Sequence, residues 1–247
     1  MQRFLSAMAR LYVNYLPFWP GKFRLLRPFA GVLVSQVRPG VWLHVDTRFT
    51  VESTLLFKQP PYDQGELELL SEILQPGMTV VDVGAFIGLM SLVAAKRVGA
   101  TGHIFAFEAG PPSVARLAAN RDLCEVDNMT ICAAAVGGGR GMIEYHYNVE
   151  APDQSAVEST TTKGVRSMIV PTISLDEFLA EFAPSRIDVI KIDVEGAESS
   201  VLEGARATLI GSEAPLLLIE MNLDALKGMG SSAGQLTSAM LEHFSGC

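Results

Sequence analysis

The sequence predicts an α/β domain built around a doubly wound, mostly parallel sheet. Three observations carry that expectation. From Thr79 onward, short β-branched runs alternate with helical stretches, the pattern of a parallel sheet covered on both faces. The stretch Val80-Val-Asp-Val-Gly-Ala-Phe-Ile-Gly88 reads as a strand turning tightly into a helix, the place where such a sheet binds its ligand. The chain of 247 residues is 49% hydrophobic and 19% charged, with mean hydropathy +0.27. That is ample material for a two-sided core and too apolar for disorder.

Each element has its own signal. Val32–Val45 is a hairpin turning at Arg38-Pro39-Gly40, and Gly65–Leu74 is a helix leading into the core. The first core strand, Thr79–Val83, follows the turn Gln75-Pro76-Gly77, and the helix Gly88–Val98 is ended by Gly99. His103–Phe107 is the second strand. Pro111 and Pro112 open a helix near Ser113–Leu123, where a missing N–H is harmless. Met129–Ala133 is the third strand. The alternation then pauses at Gly137-Gly138-Gly139. Met142–Tyr147 and Ser167–Pro171 read as an inserted strand pair, separated by the polar loop Asn148–Gly164. Ser174 and Glu177 form a capping box that starts a short helix ending near Ala183. The fourth strand, Asp188–Ile192, runs into Asp-Val-Glu-Gly. A helix covers Ala197–Ile210, Pro215–Glu220 is the fifth strand, and a last helix begins near Ser232.

Charge divides the chain. Residues 1–45 hold Arg3, Arg10, Lys22, Arg24, Arg27 and Arg38 and no acid, while the remainder carries 13 basic and 27 acidic side chains. The acidic body argues against nucleic-acid binding. Residues 1–30 read as a basic N-terminal extension before a domain spanning 31–247. The extension is expected to touch an anionic membrane face or a partner, or to pack on its own domain as a basic amphipathic helix. Val83–Ala95 is too short to span a membrane, and Leu11–Gly21 is broken by Pro17 and Pro20. Arg10 interrupts the apolar stretch of the N-terminus, and no small-x-small cleavage site follows. Arginines without acids also suit a transit peptide. The expected setting is cytoplasmic and reducing, with Cys124, Cys132 and Cys247 odd in number and far from metal-knuckle spacing.

The Val80–Gly88 turn is the most informative stretch. Gly84 allows the turn and Gly88 lets the helix pack close to the sheet. A dinucleotide fingerprint needs a glycine where this chain has Phe86, and Asp82 is unwelcome beside a phosphate. Asp82 is acceptable beside a cationic ligand without phosphate, and S-adenosylmethionine is such a ligand. Glu108, 24 residues after Gly84 and at a strand end, is placed to accept both hydroxyls of a ribose. Ala85, with Gly84, Phe86 and Gly88, completes the turn. Ala134 and Ala135, at the end of the third strand, expose backbone to an adenine or are plain packing.

The second informative stretch is Ile190-Lys-Ile-Asp-Val-Glu-Gly-Ala-Glu198. Asp193 and Glu195 follow a buried strand, and Glu220 ends its neighbour. Three acids on one rim suit a general base, a sugar-binding group or a divalent cation, with desolvation and repulsion raising one pKa. Glu195 and Glu198 also read as stabilising the next helix N-terminus. Lys191 reads as pairing with an acid or snorkelling. Asp193 and Glu220 could hold Mg²⁺ with waters, but no histidine or further acid sits at diagnostic spacing, so no metal ligand is assigned.

Asp-Val-Gly-Ala-x-Ile-Gly, the Phe-Glu-x-x-Pro stretch at 107–111 and Lys-Ile-Asp-Val-Glu-Gly-Ala-Glu at 191–198 occur in that order. Together they resemble the FkbM family of S-adenosylmethionine-dependent methyltransferases, over about Val41 to Asn222. The resemblance implies a Rossmann-like methyltransferase sheet and O-methylation of a hydroxyl on a sugar, a glycolipid, a polysaccharide, or a glycosylated or polyketide natural product. Two departures stand out. The family usually has Asn where this chain has Phe86. Its members generally continue past the last helix into a strand pair, so the domain is expected to be C-terminally incomplete, with the fifth strand left as an edge.

The expected mechanism is in-line displacement, with Asp193 as base or organiser of the acceptor and Glu195 and Glu220 in support. His146 is the alternative base if the inserted strands fold over the site. The competing readings are a truncated or degenerate methyltransferase fold that only binds, and a nicotinamide-dependent oxidoreductase.

Overall fold

A computed structural model describes residues 31–57, 64–148, 165–210, 213–220, 222, 233–234 and 237–238. The order of elements is β1 (Val32–Arg38), β2 (Val41–Asp46), α1 (Thr50–Phe57), α2 (Gln64–Ile73), β3 (Thr79–Val83), α3 (Leu89–Val98), β4 (His103–Phe107), α4 (Pro111–Leu123) and β5 (Met129–Cys132). There follow β6 (Ala135–Val136), β7 (Gly141–Asn148), β8 (Val165–Ile173), α5 (Leu175–Phe182), β9 (Val189–Ile192), α6 (Glu198–Glu203), α7 (Arg206–Leu209) and β10 (Leu216–Ile219). Among the described residues, no helix is long and apolar enough to cross a membrane. The basic extension, the loop at 149–164 and Cys247 lie outside the described residues.

Five parallel strands form the central sheet, in the order β10-β9-β3-β4-β5. Such a sheet is buried on both faces, which is why its strands read as nearly unbroken apolar runs. Two clusters fill those faces. One contains Val80, Leu92, Ile104 and Leu117 and extends to the hairpin residues Leu43 and Val45; the other contains Val81, Phe107, Leu175, Ile190 and Leu202. Among the described residues β10 has one neighbour, β9.

The β1–β2 hairpin forms where the Arg38-Pro39-Gly40 turn places it. Three polar ties hold it to the core. Arg116 on α4 forks onto Glu52 of α1 at 2.5 and 2.6 Å and also donates to the His44 carbonyl at 2.8 Å. Asn120, fully buried, accepts from the His44 backbone at 2.8 Å and donates to the Ile87 carbonyl at 2.8 Å. The Cys124 thiol exchanges hydrogen bonds with the Trp42 backbone.

The inserted strands form a separate three-stranded sheet, β6-β8-β7. β6 was not foreseen. The third core strand stops at Cys132, one residue early, and the chain then pairs Ala135 and Val136 with Thr172 and Ile173. A second difference concerns Ala197–Ile210, which is two helices rather than one. A Cβ on Gly204 would stand 1.9 Å from the Gly137 carbonyl oxygen, so the backbones touch there and the helix ends. Asp176 then caps α7 by accepting from Ala207 and Thr208. The capping box forms as read, with Ser174 and Glu177 bonded reciprocally.

Candidate active site

The carboxyl ends of β3, β4, β9 and β10 lie side by side, and every acid singled out in the sequence emerges from them or just beyond. The turn after β3 is fixed from two sides. Gly84 and Ala85 donate to the Phe107 carbonyl at 3.0 and 2.9 Å. Gly84 has φ +88, and a Cβ there would stand 1.7 Å from the carbonyl oxygen of Asp193. Gly88, at φ +93, heads α3, where a Cβ would meet Leu117 at 2.3 Å. These contacts bring the Gly84–Gly88 turn, α4 and the β9 end together, and only glycine allows them.

Phe86 adopts φ +49, a conformation that costs a non-glycine residue of order 1–3 kcal/mol. Glu108 holds it there. Its Oε2 accepts from the Phe86 N–H at 2.8 Å, and its Oε1 accepts from the Gly110 N–H at 2.7 Å. Glu108 is buried, and desolvation pushes its carboxyl up to about 7 against the pull of those backbone donors. A carboxylate offers about four lone-pair positions, which the backbone donors of Phe86, Gly110 and Ala109 do not exhaust.

Asp82 lies beneath the turn at 2% exposure. Its Oδ2 accepts from the Ser91 hydroxyl, while Oδ1 has no hydrogen-bond partner among the described residues. Burial raises its pKa, with the Lys191 charge opposing. A buried carboxyl oxygen left without a donor here suits a cationic ligand and disfavours a phosphate. The residues present therefore fit S-adenosylmethionine, and Phe86 fills the place where a dinucleotide turn needs a glycine.

On the β9 side, Lys191 is buried and pairs as expected, with Asp193 Oδ2 at 3.1 Å and Glu66 Oε1 at 3.7 Å. Burial alone would lower its pKa, but Asp82, Asp193 and Glu66 together raise it. Glu195 sits at φ +52 and accepts from Asn222 Nδ2 at 2.7 Å. Desolvation, then the nearby Asp193 charge, carries its carboxyl to about 7, with Glu220 and Glu198 adding in the same direction. Glu220 is exposed at the rim, its N–H bonded to the Ile192 carbonyl. Glu198 is buried in the first turn of α6 and accepts from the Gly196 N–H at 2.9 Å, consistent with a helix-start role.

The structure thus gathers Asp82, Gly84, Ala85, Phe86, Gly88 and Glu108 around one turn, with Asp193, Glu195 and Glu220 on the adjoining rim. Ala134 is half-buried beyond β5, and Ala135 is buried and paired with Thr172. Two neighbours escaped the sequence reading. Glu66 reaches Lys191 from α2, and no spacing pattern announces that long-range contact. Tyr145 on β7 is buried, and a Cβ on Gly110 would stand 3.1 Å from both its hydroxyl and Glu108 Oε1. His146 does not take the place proposed for it. Strand alternation turns it to the opposite face from Tyr145, which it shares with the exposed Met142 and Ile169. Among the described residues, no group of His, Cys, Asp and Glu is arranged to hold a metal ion. Burial carries the half-buried Cys132 thiol up to about 12.

Hexuronic acid methyltransferase AglP of Haloferax volcanii is 26% identical over 189 residues, 74% of this chain and 75% of that protein. The 2-O-methyltransferase NoeI of Sinorhizobium fredii is 24% identical over 156 residues, 58% of this chain and 63% of that protein. Among solved structures, precorrin-6y C5,15-methyltransferase from Geobacter metallireducens aligns with TM-score 0.45 at 16% identity, covering 75% of this chain and 74% of that one. A family model described as the methyltransferase FkbM domain matches residues 82–244, which includes the turn, Glu108 and the whole β9 rim. With more than half its length so matched, the chain belongs to the FkbM family and is an S-adenosylmethionine-dependent methyltransferase.

Proposed function

We propose that the chain methylates a hydroxyl of a sugar, free or carried on a glycan or lipid. The observation that carries this reading is the Glu195 carboxylate, half-buried beside the cofactor turn and pushed up to about 7. A base poised near the working pH is what removing a proton from an alcohol requires. The sugar class is supported by the relatives, one named for hexuronic acid and one for 2-O-methylation.

S-adenosylmethionine supplies an already activated methyl group, so the chain has chiefly to position the acceptor and take a proton. Glu108 receives the ribose hydroxyls and keeps the Phe86 turn in place. Asp82 supplies negative charge beneath the turn. Asp193, tied to Lys191 at 3.1 Å, orients the acceptor hydroxyl. Glu195, with Oε2 engaged by Asn222, takes the hydroxyl proton on Oε1. Glu220 sharpens that role by repelling the ionised form of Glu195. These carboxylates favour an uncharged hydroxyl at the rim over an acceptor that places its own carboxylate there. Residues 1–30 supply a basic docking segment for an anionic membrane or lipid-linked acceptor, which liposome binding with and without them tests.

The decisive experiment is a labelled-methyl transfer screen over neutral glycosides, uronic-acid glycosides, lipid-linked sugars and non-sugar alcohols. Transfer to sugar hydroxyls that is lost in D193N and E195Q is the expected result. Transfer confined to non-sugar alcohols overturns the acceptor class.

A further inference from the structure

One ammonium serves three carboxylates at the base of the site. Lys191 Nζ stands 3.1 Å from Asp193 Oδ2, 3.7 Å from Glu66 Oε1 and 4.0 Å from Asp82 Oδ1. Asp82 Oδ1 is sealed from water and has no hydrogen-bond partner among the described residues. Glu66 lies in the first turn of α2, outside the strand–turn–helix units that build the site. The charged groups facing it are Lys191 and Asp193 on and beyond β9, Asp82 in β3 and Glu220 beyond β10. The cations of α3, the helix that α2 packs against, are engaged elsewhere. Arg97 donates to the Leu74 carbonyl and Lys96 to the Cys124 carbonyl.

We propose that Glu66 is a positioning residue for cofactor binding that acts through Lys191. It holds the ammonium, already hydrogen-bonded to Asp193, at 4.0 Å from Asp82 and leaves the Asp82 carboxylate turned toward the cationic donor. With Glu66 neutral, Lys191 has two carboxylates to serve instead of three and closes on Asp82. The negative field at the Gly84 turn then falls, and a cationic ligand binds less well. Burial pushes the Glu66 carboxyl up to about 7, with Lys191 opposing and Glu220, Asp193 and Asp82 reinforcing. The tether is therefore engaged above neutrality and released below it. This inference rests on reading the turn as the cofactor site.

The test is calorimetric titration of S-adenosylmethionine into the full chain between pH 6 and 8.5. S-adenosylhomocysteine, which lacks the sulfonium charge, serves as the control ligand. E66Q is expected to weaken S-adenosylmethionine about tenfold at pH 8, the order of one charge-assisted contact. It should change S-adenosylhomocysteine little and remove part of the pH dependence. E66D should restore part of the affinity, and E66Q should add nothing in a K191Q background. Wild-type affinity and pH dependence in E66Q overturn the proposal, as does an undiminished E66Q effect in K191Q. Should E66Q lower thermal stability, E66D decides: affinity no better than that of E66Q counts against the tether. E108A separates the two levels. If E108A loses binding and E66Q does not, only the tether fails; if neither does, the cofactor-site reading fails as well.

Discussion

A Cβ placed on Gly84 would stand 1.7 Å from the carbonyl oxygen of Asp193. The turn after β3 and the end of β9 are thus in backbone contact, so the two share one geometry. Gly84→Ala must push them apart at a position that also sits at φ +88. It is expected to cost about 3 kcal/mol or more in denaturant unfolding and to abolish S-adenosylmethionine binding in calorimetry.

Glu195→Gln keeps the shape of the side chain and removes its ability to take a proton. Turnover in the wild type should rise through pH 7, because the carboxyl must be ionised to act and is held at about 7. The variant should lose roughly 10²–10⁴ in kcat while binding S-adenosylmethionine within a few-fold of wild type. An unchanged pH–rate profile would remove Glu195 from the proton step.

Stability and activity should respond to pH in opposite directions. Glu66, Glu108 and Glu195 are each raised to about 7 in the folded chain, against an ordinary value of 4.5. A raised carboxyl pKa means that the ionised form is disfavoured by folding. That penalty is absent below about 4.5 and fully developed above about 7. The melting temperature of the free protein should therefore climb as pH is lowered from 8 to 5. In the triple variant E66Q/E108Q/E195Q that climb should be reduced, the remainder coming from Asp82 and Glu198, whose carboxyls burial also raises.

Asn120→Ala removes a fully buried amide that joins the hairpin to the cofactor turn. The Ile87 carbonyl and the His44 N–H lose their partner together. About 2–4 kcal/mol of unfolding free energy should be lost, along with some S-adenosylmethionine affinity as the turn loosens. Wild-type stability in this variant would show that the tie is dispensable.

Much of the fold was legible because it rests on local signals. Thr79–Val83 and His103–Phe107 are β-branched or aromatic runs bounded by glycine turns, and both form over the residues read from the sequence. The Ser174–Glu177 box is a four-residue pattern and forms as such. Gly84, Glu108, Asp193 and Glu195 were legible because a parallel sheet places its strand ends together. What escaped was decided by contacts between distant segments. The break at Gly204 depends on the Gly137 backbone, and Glu66 meets Lys191 only once α2 packs against the core. The choice between Tyr145 and His146 is one of strand phase, which a short polar strand does not display.

The position of Tyr145 has a consequence for protein engineering. The β7–β8 pair is an insertion into the regular α/β alternation and looks like a part that can be exchanged between chains to change acceptor preference. Yet its inward face touches the Glu108–Gly110 corner, which belongs to the proposed cofactor pocket. A chimera that imports these strands whole would alter donor and acceptor handling at once. Libraries aimed at acceptor choice alone should vary its outward positions, Met142, Glu144, His146 and Ile169, and keep Tyr145 as it stands.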